Sequence, residues 1–232
     1  RLSFVGAPYG LDALADLELC EPDAYQVEPP VLGHLPLLAA IADTGRPVYL
    51  VAGRCTEDDV AAAAGIFTET LKGRTVTLLH SVYAPLVSLE STALWYIPLL
   101  QQKFSLPVGY MGLDSGIHDA VAAFALGAWT IEKMFTSDRF LPGPSHASSL
   151  DRDQLRELVT VVRELEQSLA GSPPRIVMQT ELGSAEEPQA CLVAAYDLPA
   201  GESLGKSMLS VKLATDGIHP KFAENHPGRF LT

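Results

Sequence analysis

Few residues in this sequence join a reactive side chain to a placement that suits chemistry, and each also has a plain structural reading. His80 ends the apolar run Leu78-Leu79-His80-Ser81, where an imidazole either meets a ligand or sits satisfied in the core or rim. Glu132 and Lys133 are adjacent in an apolar run, so the period of two sends them to opposite faces of a strand. A buried Glu132 is then either half of a structural ion pair or a site acid. Asp114 lies in Gly112-Leu113-Asp114-Ser115-Gly116, a stretch able to cradle an anion at a helix start, although it lacks P-loop or GxGxxG spacing. Its plain reading is a cap for a helix over residues 116–128. The run Glu57-Asp58-Asp59 reads as favourable first-turn charge, not as a metal site. His219 and His226 fall in the tail and read as solvated. Cys20, Cys55 and Cys191 are odd in number and unrelated in spacing, which gives neither a disulfide framework nor a CxxC pair and points to a reducing, cytoplasmic setting.

These residues must be placed by short apolar strands that alternate with amphipathic helices, the pattern of a parallel α/β fold. Strands are expected over residues 2–8, 24–27, 46–53, 75–81, 107–111 and 129–135. Helices are expected over 11–20, 35–45, from Asp58 to about Gly73, over 89–104 and 116–128, and from Asp151 to Gly171. Thr56 and Asp59 form a rough capping box for the third helix, and Asp151 with Gln154 forms one for the last. In the last helix Leu155, Leu158, Val159, Val162, Leu165 and Leu169 follow the helical period. Six such units suit either a (β/α)8 barrel with two units absent or an open doubly wound sheet, and pattern alone leaves both open.

With 232 residues, 47% of them hydrophobic, the chain is able to bury a full core. No uncharged apolar run reaches the about 18 residues of a membrane span, and the N-terminus lacks the regions of a signal peptide. Arg1 rather than Met at the start points to a processed or trimmed chain. A net charge of −12 makes nucleic acid and anionic membranes poor partners, and asks that any site for an anion be locally basic.

Residues 106–150 carry a family resemblance. Val108-Gly109-Tyr110, Gly116-Ile117, Leu126-Gly127-Ala128, Ile131-Glu132-Lys133, Phe135-Thr136, Asp138-Arg139, Pro142-Gly143-Pro144, His146 and Ser149-Leu150 together resemble the sialic acid synthases. Those enzymes condense phosphoenolpyruvate with N-acetylmannosamine or its 6-phosphate. The resemblance implies a (β/α)8 TIM-type barrel, with residues 1–171 as units three to eight. It further implies a linker over 172–190, and over 191–232 the start of a small antifreeze-like (SAF) domain that runs past Gly228-Arg229. The first two barrel units, with a family lysine and glutamate, are then expected upstream, and the family's dimers imply a homodimer.

The same resemblance implies where the chemistry should lie, at the C-terminal ends of the strands. The family's Ser-Thr-Pro is Gly6-Ala7-Pro8 here. Its Lys-Ile-x-Ser-Gly-Glu is Gln26-Val27-Glu28-Pro29-Pro30-Val31, so the lysine, serine and glutamate are lost and Glu28 is a displaced acid. Its Ser-Thr-Gly is Val51-Ala52-Gly53, followed by Arg54, a candidate phosphate contact. Tyr83 survives in a shortened loop before Pro85. The two histidines that hold the family's divalent metal (Mn or Mg) align with Leu113 and Met134, and a family aspartate aligns with Ser145. Asp114 is a substitute oxygen ligand one position on, and His146 shapes the pocket or touches substrate. Since Met134 replaces an inward-facing residue, Glu132 should also face the interior.

Neither leucine nor a thioether suits a hard divalent cation, so no metal or other cofactor is expected. Three functional readings stay open. One is a degenerate, non-condensing member that acts as a partner, scaffold or sugar-phosphate binder in nonulosonate or surface-polysaccharide synthesis. Another is a rewired carbon–carbon lyase or synthase, with Glu28, Arg54, Tyr83, Asp114 and Glu132 converging in one pocket. The third is an ordinary synthase whose loops are misaligned.

Overall fold

A computed structural model describes residues 2–71, 76–84, 87–171, 174, 176, 178, 181, 188–203, 205–215 and 217–221. Thr75, Pro85, most of the expected linker, His226 and Gly228-Arg229 lie outside the described residues. Six strands form one parallel sheet: β1 (Val5–Gly6), β2 (Ala24–Val27), β3 (Val48–Ala52), β4 (Val76–His80), β5 (Val108–Gly112) and β6 (Ile131–Lys133). Each is followed by a helix: α1 (Leu11–Glu18), α2 (Leu35–Asp43), α3 (Glu57–Leu71), α4 (Tyr96–Phe104), α5 (His118–Ala125) and α6 (Arg152–Ser168). Strand order across the sheet equals chain order. That is the sequential winding of a (β/α) barrel, whereas a doubly wound sheet reverses direction at a switch point.

The two faces of the sheet follow from the period of two. Tyr25, Val27, Val48, Leu50, Val76, Leu78, Val108 and Tyr110 point to the helices and join Leu37, Ile41, Phe67, Ile97 and Leu100 in one buried core. Each fully buried Leu there contributes about 1.5–3 kcal/mol. The other face is thinner: Val51, Leu79 and Met111, flanked by Tyr49, Tyr83 and Leu113. Below them the unclosed side of the sheet leaves a cavity of about 1440 Å³, whose walls include Val5, Gln26, Tyr49, Leu79, Glu132 and Leu158.

Two of the expected caps form, at α3 and α6. Thr56 and Asp59 exchange bonds, with Thr56 N donating to Asp59 Oδ2 (2.8 Å) and Asp59 N to Thr56 Oγ1 (3.2 Å). Asp151 Oδ1 accepts from the amides of Asp153 and Gln154, while Gln154 Oε1 accepts from Asp151 N; such a cap contributes about 1 kcal/mol. The helix expected over 89–104 is instead a 3₁₀ turn (Leu89–Ser91) and then α4. Ala93, at φ +49°, breaks the run. The break frees the Thr92 carbonyl to accept from His80 Nε2 at 2.9 Å, a bond that a continuous helix would have used internally.

Residues 171–232 form a separate compact unit from residues 1–170. It holds β7 (Gln189–Ala194) and β8 (Leu209–Ala214), paired antiparallel with Gln189 opposite Ala214 and Ala194 opposite Leu209. Among the described residues no helix is long and apolar enough to cross a membrane.

Candidate functional site

At the C-terminal edge of the sheet a cavity of about 400 Å³ lies over the inner face. The strand period explains its walls: Glu28 stands two residues past inward Gln26, Leu113 two past Met111, and Met134 two past Glu132. Tyr9, in the loop after β1, and Arg54 and Tyr83, in the loops after β3 and β4, complete the polar side. Pro144 and Ser145 close it from the loop before α6. Gly53 lets the β3 loop approach closely, since a Cβ there would lie 2.7 Å from the Ser81 carbonyl and 3.2 Å from Tyr83 Cβ. Arg54 follows at φ +52° with its side chain exposed.

Glu28 dominates the polarity. It is 8% exposed, Gln26 Nε2 donates to its Oε1 at 2.7 Å, and its Oε2 has no partner among the described residues. An acceptor buried in this way costs about 1–3 kcal/mol until something donates to it. Gln26 Nε2 also donates to Glu132 Oε1 at 3.2 Å, so one amide bridges two carboxylates from β6 and the β2 loop. Burial first, and then the charge of Glu28, hold the Glu132 carboxyl above its ordinary range, although the Gln26 bond opposes them. The Tyr9 phenol is pushed up to about 12 by burial, by its hydrogen bond with Tyr83 and by the charge of Glu28.

Of the residues expected at the site, Glu28, Arg54, Tyr83 and Ser145 therefore line one cavity, together with Leu113 and Met134. Four others do not. Glu132 faces inward but lies one layer below, on the wall of the larger cavity, bonded to Gln26 rather than to a cation. Asp114 is on the helix side, where its Oδ1 accepts from Tyr110 Oη at 2.6 Å and its Oδ2 from Lys133 Nζ at 3.0 Å. The pair is sealed, with side chains 1% and 3% exposed, so Asp114 is neither a pocket ligand nor the cap of α5, which has no side-chain cap. His80 also faces the helices, against the rings of Tyr96 and Tyr110, and burial lowers its pKa. His146 holds its own loop: Thr136 Oγ1 donates to the Asp138 carbonyl and so accepts from His146 Nδ1 at 2.8 Å.

The expectations had passed over Tyr9, Gln26 and Met111. The signal for Tyr9 was its place just past Gly6-Ala7-Pro8, and for Met111 its spacing of two from Leu113. Nothing local links Gln26 to Glu132, 106 residues away.

The model of the NeuB family matches residues 1–173. The chain belongs to that family. NeuB-family relatives include N,N'-diacetyllegionaminic acid synthase of Campylobacter jejuni, 27% identical over all of this chain and 70% of the relative. An uncharacterised protein of Methanocaldococcus jannaschii is 32% identical over 95% of the chain and 65% of its own length. Among solved structures, the N-acetylneuraminic acid synthetase of Leptospira borgpetersenii, determined with citrate, superposes with a TM-score of 0.71 at 28% identity, over 78% of this chain and 62% of that one. The chain thus spans roughly two-thirds of the length of these NeuB-family relatives.

The divalent metal implied by the family resemblance can be tested against the donors present. The positions that would carry its histidines present the alkyl group of Leu113 and the thioether of Met134 to the cavity, and no imidazole lines it. Among the described residues no group of three His, Cys, Asp or Glu side chains is arranged to hold a metal ion. The residues do not fit a hard divalent cation at this place.

Proposed function

We propose that this NeuB-family protein is a non-condensing member that binds a sugar or sugar phosphate in nonulosonate or surface-polysaccharide synthesis. One observation carries the reading: Leu113, Met134 and Ser145 line the cavity where the family resemblance puts two metal ligands and a carboxylate. Without a Lewis acid the aldehyde loses the metal's polarisation for attack by an enol, while one guanidinium, one carboxylate and two phenols leave the cleft groups suited to holding a sugar. The names of the relatives support a place in synthesis of nine-carbon sugar acids. In the same reading the protein is cytoplasmic and homodimeric. Residues 1–171 supply barrel units three to eight, and residues 191–232 open an antifreeze-like domain.

The test is a turnover assay of the full-length protein with phosphoenolpyruvate, N-acetylmannosamine or its 6-phosphate, and Mn²⁺, read as phosphate release. No release above the metal-only blank is expected. Release that needs Mn²⁺ would restore an ordinary synthase. A second reading, a rewired carbon–carbon lyase or synthase, draws on the meeting of Glu28, Arg54 and Tyr83 in one cavity. It predicts metal-independent release of pyruvate from a sugar acid, lost in Glu28→Gln.

A further inference from the structure

His80 lies outside the cavity, yet it fixes a segment that the cavity uses. Beyond His80 the chain places Tyr83 on the cavity wall, in a hydrogen bond with Tyr9, and then returns with the Thr92 carbonyl 2.9 Å from His80 Nε2. A carbonyl only accepts, so Nε2 carries a hydrogen. Nδ1 is buried without a partner among the described residues, so a hydrogen there would have no acceptor. The ring is therefore held as the neutral Nε2–H tautomer.

Its surroundings keep every charge away from it. Tyr96 of α4 and Tyr110 of β5 flank the ring, with centroids 6.0 and 6.3 Å away. The Tyr110 phenol donates to Asp114, which Lys133 pairs, and the Tyr96 phenol donates to Glu57, which Lys103 pairs. From α5, Asp119 hydrogen-bonds to the Thr92 side chain, and from β3 the strand neighbour is Ala52. A second ring proton would thus be a buried, unpaired charge, and burial lowers the His80 pKa. Water reaches Nδ1 only if a covering element moves. Strands β4 and β5 are fixed in the sheet, where His80 pairs with Ala52 and Tyr110. The turn above the ring is held by short-range bonds, Ser91 N to Ser88 O and Thr92 Oγ1 to Leu89 O, and ends on the left-handed Ala93.

We propose that His80 is a proton-operated latch: neutral, it holds the Thr92 carbonyl and positions the segment that bears Tyr83; protonated, it is hydrated only when the turn over residues 88–95 lifts and releases that segment's far end. The latch is independent of what the cavity binds. In the open form the ring titrates near its ordinary value of about 6.5, and in the closed form lower. Opening is therefore favoured as pH falls below about 6.5, by up to about tenfold per pH unit, and levels off at the closed-form value.

The experiment is peptide-resolved amide hydrogen exchange of the full-length protein between about pH 7.5 and about pH 5, corrected for intrinsic exchange rates. Protection of residues 87–97 should fall with pH along that curve while β4 and β5 stay protected. His80→Gln keeps an N–H donor for the Thr92 carbonyl but gains no proton, so its profile should be flat. Asp119→Asn and His118→Gln should keep the parent's profile. A flat parent profile, a pH dependence that survives in His80→Gln, or an equal loss of protection in β4 and β5 would each overturn the latch. A readout that needs no variant is the ¹⁵N shift pair of the His80 imidazole. The neutral Nε2–H tautomer at about pH 7.5 supports the latch, and a cation or an Nδ1–H tautomer there refutes it.

Discussion

On the helix side of the sheet, Lys133 meets Asp114 and both are sealed from water. On the inner side, one residue earlier on the same strand, Glu132 shares a glutamine amide with Glu28, and one oxygen of Glu28 has no partner among the described residues. The first face buries charge only after pairing it, and surrounds it with the main core. The second face has a small apolar cluster and two carboxylates bridged by the Gln26 amide, with no cation between them among the described residues. Buried charge is costly unless paired, so the two faces of one sheet differ in kind: the helix side pairs its buried charge inside the main core, and the inner side leaves a carboxylate oxygen without a partner among the described residues.

The largest expected break in that contrast is Asp114→Ala. It would strand the Lys133 ammonium in the core and cost about 3–5 kcal/mol in urea unfolding, whereas Glu28→Gln should change stability by no more than about 1 kcal/mol. Equal losses would mean that both faces are structural. Next come the adjacent leucines of β4. Leu78→Ala, on the helix side, should cost about 2–5 kcal/mol, and Leu79→Ala, which borders the open cavity, at least about 1 kcal/mol less. A reversed order in denaturant midpoints would show that the inner face is the better packed.

The smallest effect is in pH dependence. Burial raises the folded-state pKa of Glu132, so the native state holds that proton more tightly than the unfolded chain. The resulting stability is complete below the unfolded carboxylate range, about pH 4.3, and is lost as pH rises through the folded value. Glu132→Gln should flatten that decline in melting temperature between pH 4 and 8, and raise the melting temperature at the alkaline end. An unchanged profile would show that the inner face titrates elsewhere.

Much of the fold was legible in the chain. The 24–27 strand has the expected limits, and the Asp151–Gln154 box starts α6, because caps and strand periods are local interactions between residues a few positions apart. The 89–104 helix is interrupted at Ala93, whose φ of +49° no local pattern announces, and the freed Thr92 carbonyl meets His80, 12 residues away. At the candidate site, Glu28, Arg54, Tyr83 and Ser145 were pointed to by the family resemblance, and all four line one cavity. The layers of His80 and Asp114 were not legible, since a residue near a strand end faces either layer, and the parity is fixed only once the register is known.

The sequence by itself determined the order of the βα units and the caps at Thr56 and Asp151, which are properties of residue identity and short spacing; that Leu113 and Met134 stand at histidine positions is what the family resemblance implies. Only the tertiary structure decided which face each polar residue occupies. It also decided that Lys133 pairs with Asp114 and that Gln26, rather than a cation, lies between Glu28 and Glu132. The reason is distance along the chain. Strands β2 and β6 carry no local signal of each other, and curvature of the sheet brings their inner side chains within hydrogen-bonding reach.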